Sequence, residues 1–428
     1  MSNNKKKLLI YAHYYSPDVA STGQILQDLA EELIDVFDVT VICTVPSYSG
    51  KINVEYKGKR VFFETINGVN VVRVSVPEFS KKSKLSRVLN ILVYFFNARH
   101  ATKLVGNQDI VFALSQPPIL GGILGLYGKR VLKNNEGNHP KFVYQIQDFN
   151  PEQIEAVGYF KNKLIINFLK YIDKRTCRIA DLVITVGRDL IDTLIKRFNN
   201  KDVPNHVMIN NWIDDEKVFP LKCNDVNIIN FKIKYDINDS FVIMYSGNIG
   251  LYYDLLGIIN VVKKFKGAKT IKGKKVIFAF VGNGSVLDKL KEFVINNDLN
   301  NVVFIPYQNK DDLVYSLNAA DVQWCINARG IKGVSVPSKF YGIVAVAKPV
   351  LGVLETGSEV ELLIEDIKCG LCSEPGDYKE IENNINWFIN NSDDECLESI
   401  GRKGYEYLKK YLSKNISINK YKSVLLNL

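Results

Sequence analysis

Short apolar runs of strand length alternate with amphipathic stretches of helix length, and this pattern constrains the fold more than any single motif. Lys7–His13 has strand character, Thr22–Ile34 helix character and Asp38–Thr44 strand character again. Parallel strands need a long crossover, usually a helix, so the alternation predicts a parallel sheet covered on both faces. Val61–Val76 interrupts it with two apolar runs around Asn67-Gly68, a dipeptide suited to a two-residue hairpin turn, so a hairpin decorating the sheet is expected there. The order resumes with a helix near Ser83–Val105, a strand at Asp109–Leu114, a helix from Pro118 and a strand at Lys141–Gln147. A helix around Lys163–Ile179, a strand at Asp181–Val186, a helix to Phe198 and a strand at His206–Asn210 follow, and Asn211-Trp212-Ile213-Asp214 ends this half. The polar stretch from Asp215 to Ser240 has the look of an irregular linker. A second alternating set starts at Phe241–Tyr245 and runs through strands at Lys275–Val281, Val302–Pro306, Asp321–Cys325 and Pro349–Val353.

A chain of 428 residues exceeds one ordinary domain, which agrees with two successive α/β halves. A net charge of +9 suits an anionic substrate or a membrane surface, and falls short of the density of a dedicated nucleic-acid binder. The seven cysteines are scattered and odd in number, as expected of reduced thiols in a cytosolic protein. Cys369 and Cys372 match a C-x-x-C pattern, but in a strand their side chains would face opposite sides. Near the N-terminus the apolar run LLIYA is too short for a signal peptide, and no run approaches the roughly 20 apolar residues that span a bilayer. The segment Lys81–Lys103 has an apolar centre and carries Lys81, Lys82, Lys84, Arg87, Arg99 and Lys103, a composition that fits a helix lying on an anionic membrane or one packed on the sheet. The run after Pro117-Pro118 could add a neighbouring apolar surface or fill the core.

The chemistry is expected where open α/β sheets bind ligands, at the carboxyl ends of strands. Val334–Val350, VSVPSKFYGIVAVAKPV, places Ser338 and Lys339 directly after Pro337 at the start of what should be an amphipathic helix. Proline suits a first helical turn, and free N–H groups beside a lysine make an anion site, with phosphate the natural occupant. Four polar or glycine-rich turns take matching positions: Tyr14–Gln24 with Gly23; Gln147–Glu152 with Asp148; Ser246–Gly250 with Gly247, Asn248 and Gly250; and Gly282-Asn283-Gly284. Together they suggest a cleft between domains holding an extended phosphate-bearing ligand. The full dinucleotide fingerprint, the P-loop and G-x-S-x-G are all absent. With four scattered histidines and no H-E-x-x-H or paired-cysteine spacing, no metal or other cofactor is expected.

The order YYSPDVASTGQ, QDFNPE, ADLVITVGRDL, NWID, YSGNIG, FVGNG, VPSKFYGIVAVAKPV and SEPGD resembles family 4 glycosyltransferases of the GT-B fold, in the branch of bacterial O-antigen, capsule and colanic-acid enzymes. The resemblance runs from Lys7 to the last helix. It implies two Rossmann-like, doubly wound domains facing across a cleft. Residues 1–215 would take the acceptor, 216–410 the nucleotide sugar, and 411–428 would form a helix returning to the first domain. The implied reaction is retaining, metal-independent glycosyl transfer. Gly23 would approach the donor diphosphate, and Gly247, Asn248, Gly250, Gly282 and Asn283 would line the donor side. Ser338 and Lys339 would hold the diphosphate, Tyr307 in the loop Pro306-Tyr307-Gln308 would lie near the base, and Gln147 and Asp148 would face the donor sugar or acceptor.

The chain departs from the family where many relatives have His before that Asp, since Gln147 stands there. Val334 and Gly342 occupy the places of the family's Glu-x7-Glu pair, and Leu251-Tyr252-Tyr253-Asp254 replaces the usual Arg and Lys after the GN-x-G turn. Lys339, aided by Arg329 or Lys332, would then carry more of the diphosphate charge. The expected partners are a nucleotide-sugar donor, preferably a UDP-sugar with an N-acetylated or deoxy hexose, a lipid-diphosphate-linked saccharide and the inner face of the cytoplasmic membrane, with no nucleic acid. Rival readings are a GT-B-type UDP-N-acetylhexosamine epimerase, which would need more acid–base residues, and a non-catalytic partner subunit.

Overall fold

The computed structural model describes residues 5–18, 21–80, 83–156, 162–392 and 394–428. Val19 and Ala20 of the first polar turn and Lys81 and Lys82 of the basic segment lie outside the described residues. The chain divides into two compact units. The first comprises Met1–Val186, Leu190–Asn210 and Ser417–Leu428, and the second Gly187–Asp189 and Asn211–Ile416.

In chain order the first unit holds β1 (Lys6–Tyr11), α1 (Ser21–Leu33), β2 (Phe37–Thr44), β3 (Val61–Ile66), β4 (Val69–Val74), α2 (Lys84–Thr102), β5 (Ile110–Leu114) and α3 (Leu120–Val131). Then come β6 (Lys141–Ile146), α4 (Glu152–Ala156), α5 (Lys163–Ile179), β7 (Leu182–Thr185), α6 (Arg188–Arg197) and β8 (His206–Met208). Among the described residues its sheet has the order β3-β4-β2-β1-β5-β6-β7-β8, parallel except for β3 against β4. Leu8, Leu9 and Ile10 are all fully buried, as are Val111 and Phe112. Successive strand residues point to opposite faces, so both faces of the sheet are covered. The hairpin β3–β4 turns at Asn67 and Gly68, whose φ values of 48° and 83° are the two positive angles that a tight right-twisted hairpin requires. Helix α2 starts where the Ser83 side chain accepts from the Ser86 N–H, and α5 where Asn162 accepts from the N–H groups of Leu164 and Ile165.

The second unit holds α7 (Val226–Lys234), β9 (Ser240–Ser246), α8 (Leu255–Val262), β10 (Lys275–Val281), α9 (Leu287–Asn296), β11 (Val302–Ile305), α10 (Leu313–Asn318) and β12 (Val322–Ile326). It continues with α11 (Lys339–Ala345), β13 (Val350–Val353), α12 (Glu359–Ile367), β14 (Gly370–Ser373), α13 (Tyr378–Asn390) and α14 (Asp394–Tyr407). Its sheet is parallel throughout, in the order β11-β10-β9-β12-β13-β14. Alternation along β9 sends Phe241, Ile243 and Tyr245 into one core and Val242 and Met244 into the other. Strand β10 does the same, with Phe278 and Phe280 on one side and Ile277 and Ala279 on the other.

Two local expectations are corrected. The stretch expected to be an irregular linker contains α7, capped by the Asp225 carboxylate on the N–H groups of Asn227 and Ile228, with Ile228 and Phe231 buried one helical turn apart. The helix after Pro337-Ser338 is not amphipathic: α11 spans seven residues, and all six from Phe340 to Ala345 are buried. Pro337 precedes the cap residue Ser338 rather than lying within the first turn. Cys369 is buried just ahead of β14 and Cys372 is half-buried within it, both as free thiols. A last helix, α15 (Lys414–Leu426), brings Tyr421 into the first unit, where its buried hydroxyl accepts from Gln145 Nε2 of β6 at 2.5 Å.

At the end of β1 the His13 ring lies against Tyr14 and Tyr94, with centroids 4.2 and 4.9 Å away. Burial lowers its pKa to about 4, only partly offset by Asn90. A histidine whose folded pKa lies below its unfolded value contributes stability that is complete above the unfolded value, near 6.5, and is lost as pH falls toward 4. Between pH 7 and pH 5 this group should cost about 2 kcal/mol. Urea melts at the two pH values should show His13→Gln losing less stability than the wild type by about that amount, and equal losses would remove the assignment.

Candidate functional site

In each sheet the strand order reverses at one point, and a crevice opens there at the carboxyl ends. In the first unit this is at β1, flanked by β2 and β5. Three side chains meet at these ends. Thr22, at the start of α1, donates its hydroxyl to Gln116 Oε1 at 3.1 Å, and Gln116 Nε2 donates to Asp148 Oδ2 at 3.0 Å. Just beside them Ser115 Oγ accepts from the backbone N–H groups of Gln147 and Asp148 at 3.2 and 3.3 Å. Gln147 is buried and Asp148 half-buried. Gly23 is buried in the first turn of α1, where a Cβ would stand 3.0 Å from the Tyr14 carbonyl oxygen. Sequence reasoning had singled out Gly23, Gln147 and Asp148 but missed Thr22, Ser115 and Gln116. The signal available for the last two was their place directly after a buried strand.

The loop that carries Asp148 rests on an ion cluster. Arg197 at the end of α6 lies over the Phe149 ring, 4.5 Å from its centroid, and donates to Glu152 Oε1 at 2.6 Å and to Asp173 of α5. Tyr144 donates to the other Asp173 oxygen at 2.7 Å. Burial raises the Asp173 pKa even though Arg197 opposes that shift.

In the second unit the reversal falls at β9, flanked by β10 and β12. The turn Gly247–Gly250 is pinned to the turn after β10 by Gly247 N–H to Val281 O and Ile249 N–H to Asn283 O, both 2.9 Å. Gly282 has φ 135°, and a Cβ on it would overlap the Gly247 carbonyl oxygen. Only glycine allows these two turns to stack. Tyr245 closes the turn by donating its hydroxyl to the Asn248 carbonyl at 2.6 Å. Asn248 and Asn283 are exposed and Gly250 is buried.

Lys339 leans back over this turn. Its Cε stands 2.5 Å from the position a Gly247 Cβ would take, and its ammonium lies 3.7 Å from the Tyr253 ring centroid and 5.2 Å from that of Tyr245. Among the described residues no carboxylate lies within ion-pair distance of it. Aromatic faces hold a cation without neutralising it, so the charge stays available for an anion. Ser338 is exposed beside it. Tyr307 is 56% exposed beyond the end of β11, two strands from β9.

The approach to Lys339 is fixed by groups that sequence reasoning did not find. Glu355 accepts from three successive N–H groups, those of Gly330, Ile331 and Lys332, each at 2.9 Å. Asp189 accepts from the Gly333 N–H at 2.9 Å, while Glu359 accepts from the Arg188 backbone at 2.7 Å and its Nε at 2.9 Å. The GRD of ADLVITVGRDL thus serves the second unit. Arg329 and Lys332, expected to assist Lys339, are engaged elsewhere. The guanidinium donates to the Pro375 carbonyl at 2.7 Å and the ammonium to that of Thr356 at 2.5 Å. Val334 and Gly342, at the places of the family's glutamates, are both buried.

Comparison with known proteins accords with this geometry. Residues 227–407 match the family model "Glycosyl transferases group 1". Probable glycosyltransferase WbjE of Pseudomonas aeruginosa is 28% identical over 87% of this chain and 90% of its own length. Putative colanic acid biosynthesis glycosyl transferase WcaI of Escherichia coli K12 is 24% identical over 86% and 88%. Among solved structures, Anabaena HepE in complex with UDP and glucose superposes with a TM-score of 0.71 at 14% identity, covering 99% of this chain and all of its own, a likeness that establishes the fold alone. Fold and family match together support a glycosyltransferase of the GT-B fold. Within that class the chain is similar to family 4-like bacterial polysaccharide glycosyltransferases, which it matches over most of their length.

Removing Arg197 would leave Asp173 and Glu152 without their cation. Arg197→Met should therefore destabilise the protein by about 3–5 kcal/mol, the cost of breaking a buried pair from one side. A denaturation midpoint equal to the wild type would show that the cluster does not hold the loop.

Proposed function

We propose that the chain is a retaining, metal-independent glycosyltransferase. It moves a hexose-type sugar, N-acetylated or deoxygenated, from a UDP donor to a lipid-diphosphate-linked saccharide in cell-surface polysaccharide synthesis. The observation that carries this reading is the ammonium of Lys339 held over the glycine turn after β9 by two tyrosine rings, with no acid to neutralise it among the described residues. Breaking a sugar–diphosphate bond builds negative charge on the departing phosphate, and a preorganised cation stabilises that charge as it grows. The acceptor hydroxyl oxygen bonds to the anomeric carbon on the face the phosphate leaves, and its proton passes to a phosphate oxygen. That route needs no protein base of shifted pKa.

In this reading Lys339 and Ser338 hold the diphosphate, and Gly247, Asn248, Gly250, Gly282, Asn283 and Gly23 let the donor approach backbone. Tyr307 serves the base. Gln147 and Asp148 orient sugar and acceptor, with Asp148 placed by Gln116. The UDP named with HepE supports the choice of donor class. The enzyme works at the inner face of the cytoplasmic membrane through the basic helix α2. No helix among the described residues is long and apolar enough to cross a membrane.

Lys339→Ala should lower turnover by about 10²–10³-fold, the scale of one preorganised electrostatic group, with Lys339→Arg recovering part of it. Near-normal kinetics in the alanine variant would sink the assignment. In thermal-shift measurements UDP should stabilise the protein equally with and without EDTA, and GDP, dTDP and ADP should not. Stabilisation that EDTA abolishes would count against metal independence. Binding to anionic vesicles should weaken as salt rises, because exposed charges are screened; binding indifferent to salt would argue against the role given to α2.

A further inference from the structure

Helices α2, α3 and α5 of the first unit border an apolar groove of about 750 Å³. It is lined by Leu126 and Tyr127 of α3, Phe95 of α2, and Phe168, Tyr171 and Ile179 of α5. The volume falls within the range of small-molecule pockets, roughly 300–1,000 Å³. The apolar surface does not stop at the groove. Helix α2 buries Asn90, Tyr94, Ala98 and Ala101 at helical spacing and turns the opposite face outward, leaving Leu85 80% and Phe96 56% exposed. Helix α5 repeats the arrangement. It buries Ile166, Asp173 and Cys177 and leaves Leu164 80%, Phe168 61% and Tyr171 62% exposed.

The charges on these helices say what covers that surface. There are three Lys or Arg on α2, two on α3 and five on α5, ten in all. Against them stands one acid, Asp173, which is buried and already paired with Arg197. Lys129 and Lys170 find acids on neighbouring segments, Asp181 and Glu155. Arg99, Arg130 and Arg175 at the groove have no acidic partner among the described residues, and Arg99 lies over the Tyr127 ring at 4.6 Å. Long cationic side chains that lay their stems on apolar surface and keep their heads free suit the boundary between acyl chains and headgroups. A nucleic acid would not require the large apolar side chains, and a protein partner would have to be both acidic and apolar over the same area.

We propose that this groove is a lipid site: an acyl chain of an anionic phospholipid in the bilayer lies between α2, α3 and α5, with its phosphate held by Arg99, Arg130 and Arg175. The proposal rests on the peripheral-membrane part of the reading above and enlarges the contact from one helix to three.

The full chain should sediment with vesicles of phosphatidylcholine and phosphatidylglycerol and stay in solution with phosphatidylcholine alone. Phe168→Asp and Arg175→Glu, both on α5, should each lower vesicle affinity by about tenfold, while UDP binding by the same variants stays unchanged and reports an intact fold. A tryptophan placed by Phe168→Trp should be quenched by phosphatidylglycerol brominated on its acyl chains. If the wild type binds the anionic vesicles and the α5 variants bind equally well, the groove is not the lipid site, while the membrane reading stands. If the wild type ignores anionic vesicles, both fall, and a doubled mass by light scattering would then assign the surface to a second copy of this chain.

Discussion

Two backbone turns that can approach only because Gly282 and Gly284 carry no side chain set the geometry of the second unit. A Cβ on Gly282 would overlap the carbonyl of Gly247, so the ends of β9 and β10 are stacked backbone against backbone. That leaves a shallow floor over which Lys339 can lean, and Tyr245 and Tyr253 fix its direction. The loop before Lys339 is held in advance by Glu355 and Asp189. Charge, floor and approach are set by separate parts of the chain.

The first unit solves a related problem with different materials. At its strand reversal the side chains of Thr22, Gln116 and Asp148 form a hydrogen-bonded row, and the loop bearing Asp148 is anchored from below by Arg197. One unit presents a cation over bare backbone, and the other a carboxylate in a polar row. Both arrangements follow from the parallel sheet, which gathers its loops at the carboxyl ends of the strands.

Strand and helix positions were largely legible in the chain because buried parallel strands are nearly uninterrupted apolar runs, as in KVIFAFV of β10. The Asn67-Gly68 turn was legible because few dipeptides accept two positive φ angles. Helix α7 was missed because its polar residues break the apolar pattern and its start is signalled by the single Asp225 cap. The character of α11 was misjudged because its ends are polar while every residue from Phe340 to Ala345 is covered, a consequence of packing that periodicity does not report. Candidate site residues attached to recognisable turns could be named from the chain alone. Those defined by distant partners could not: Arg197 meets Glu152 across 45 positions, and Asp189 meets Gly333 across 144.

Tyr421 has a consequence for how the molecule is made. Its buried hydroxyl bonds to Gln145 in the sheet of the first unit, and its ring lies 6.3 Å from that of Phe112. Domains generally fold in the order in which a ribosome delivers them. Here the first unit cannot close its core when its own sheet has emerged, because a core residue arrives only after the whole second unit has been translated. Maturation of the two units is therefore interlocked in time, and the half made first is the half finished last.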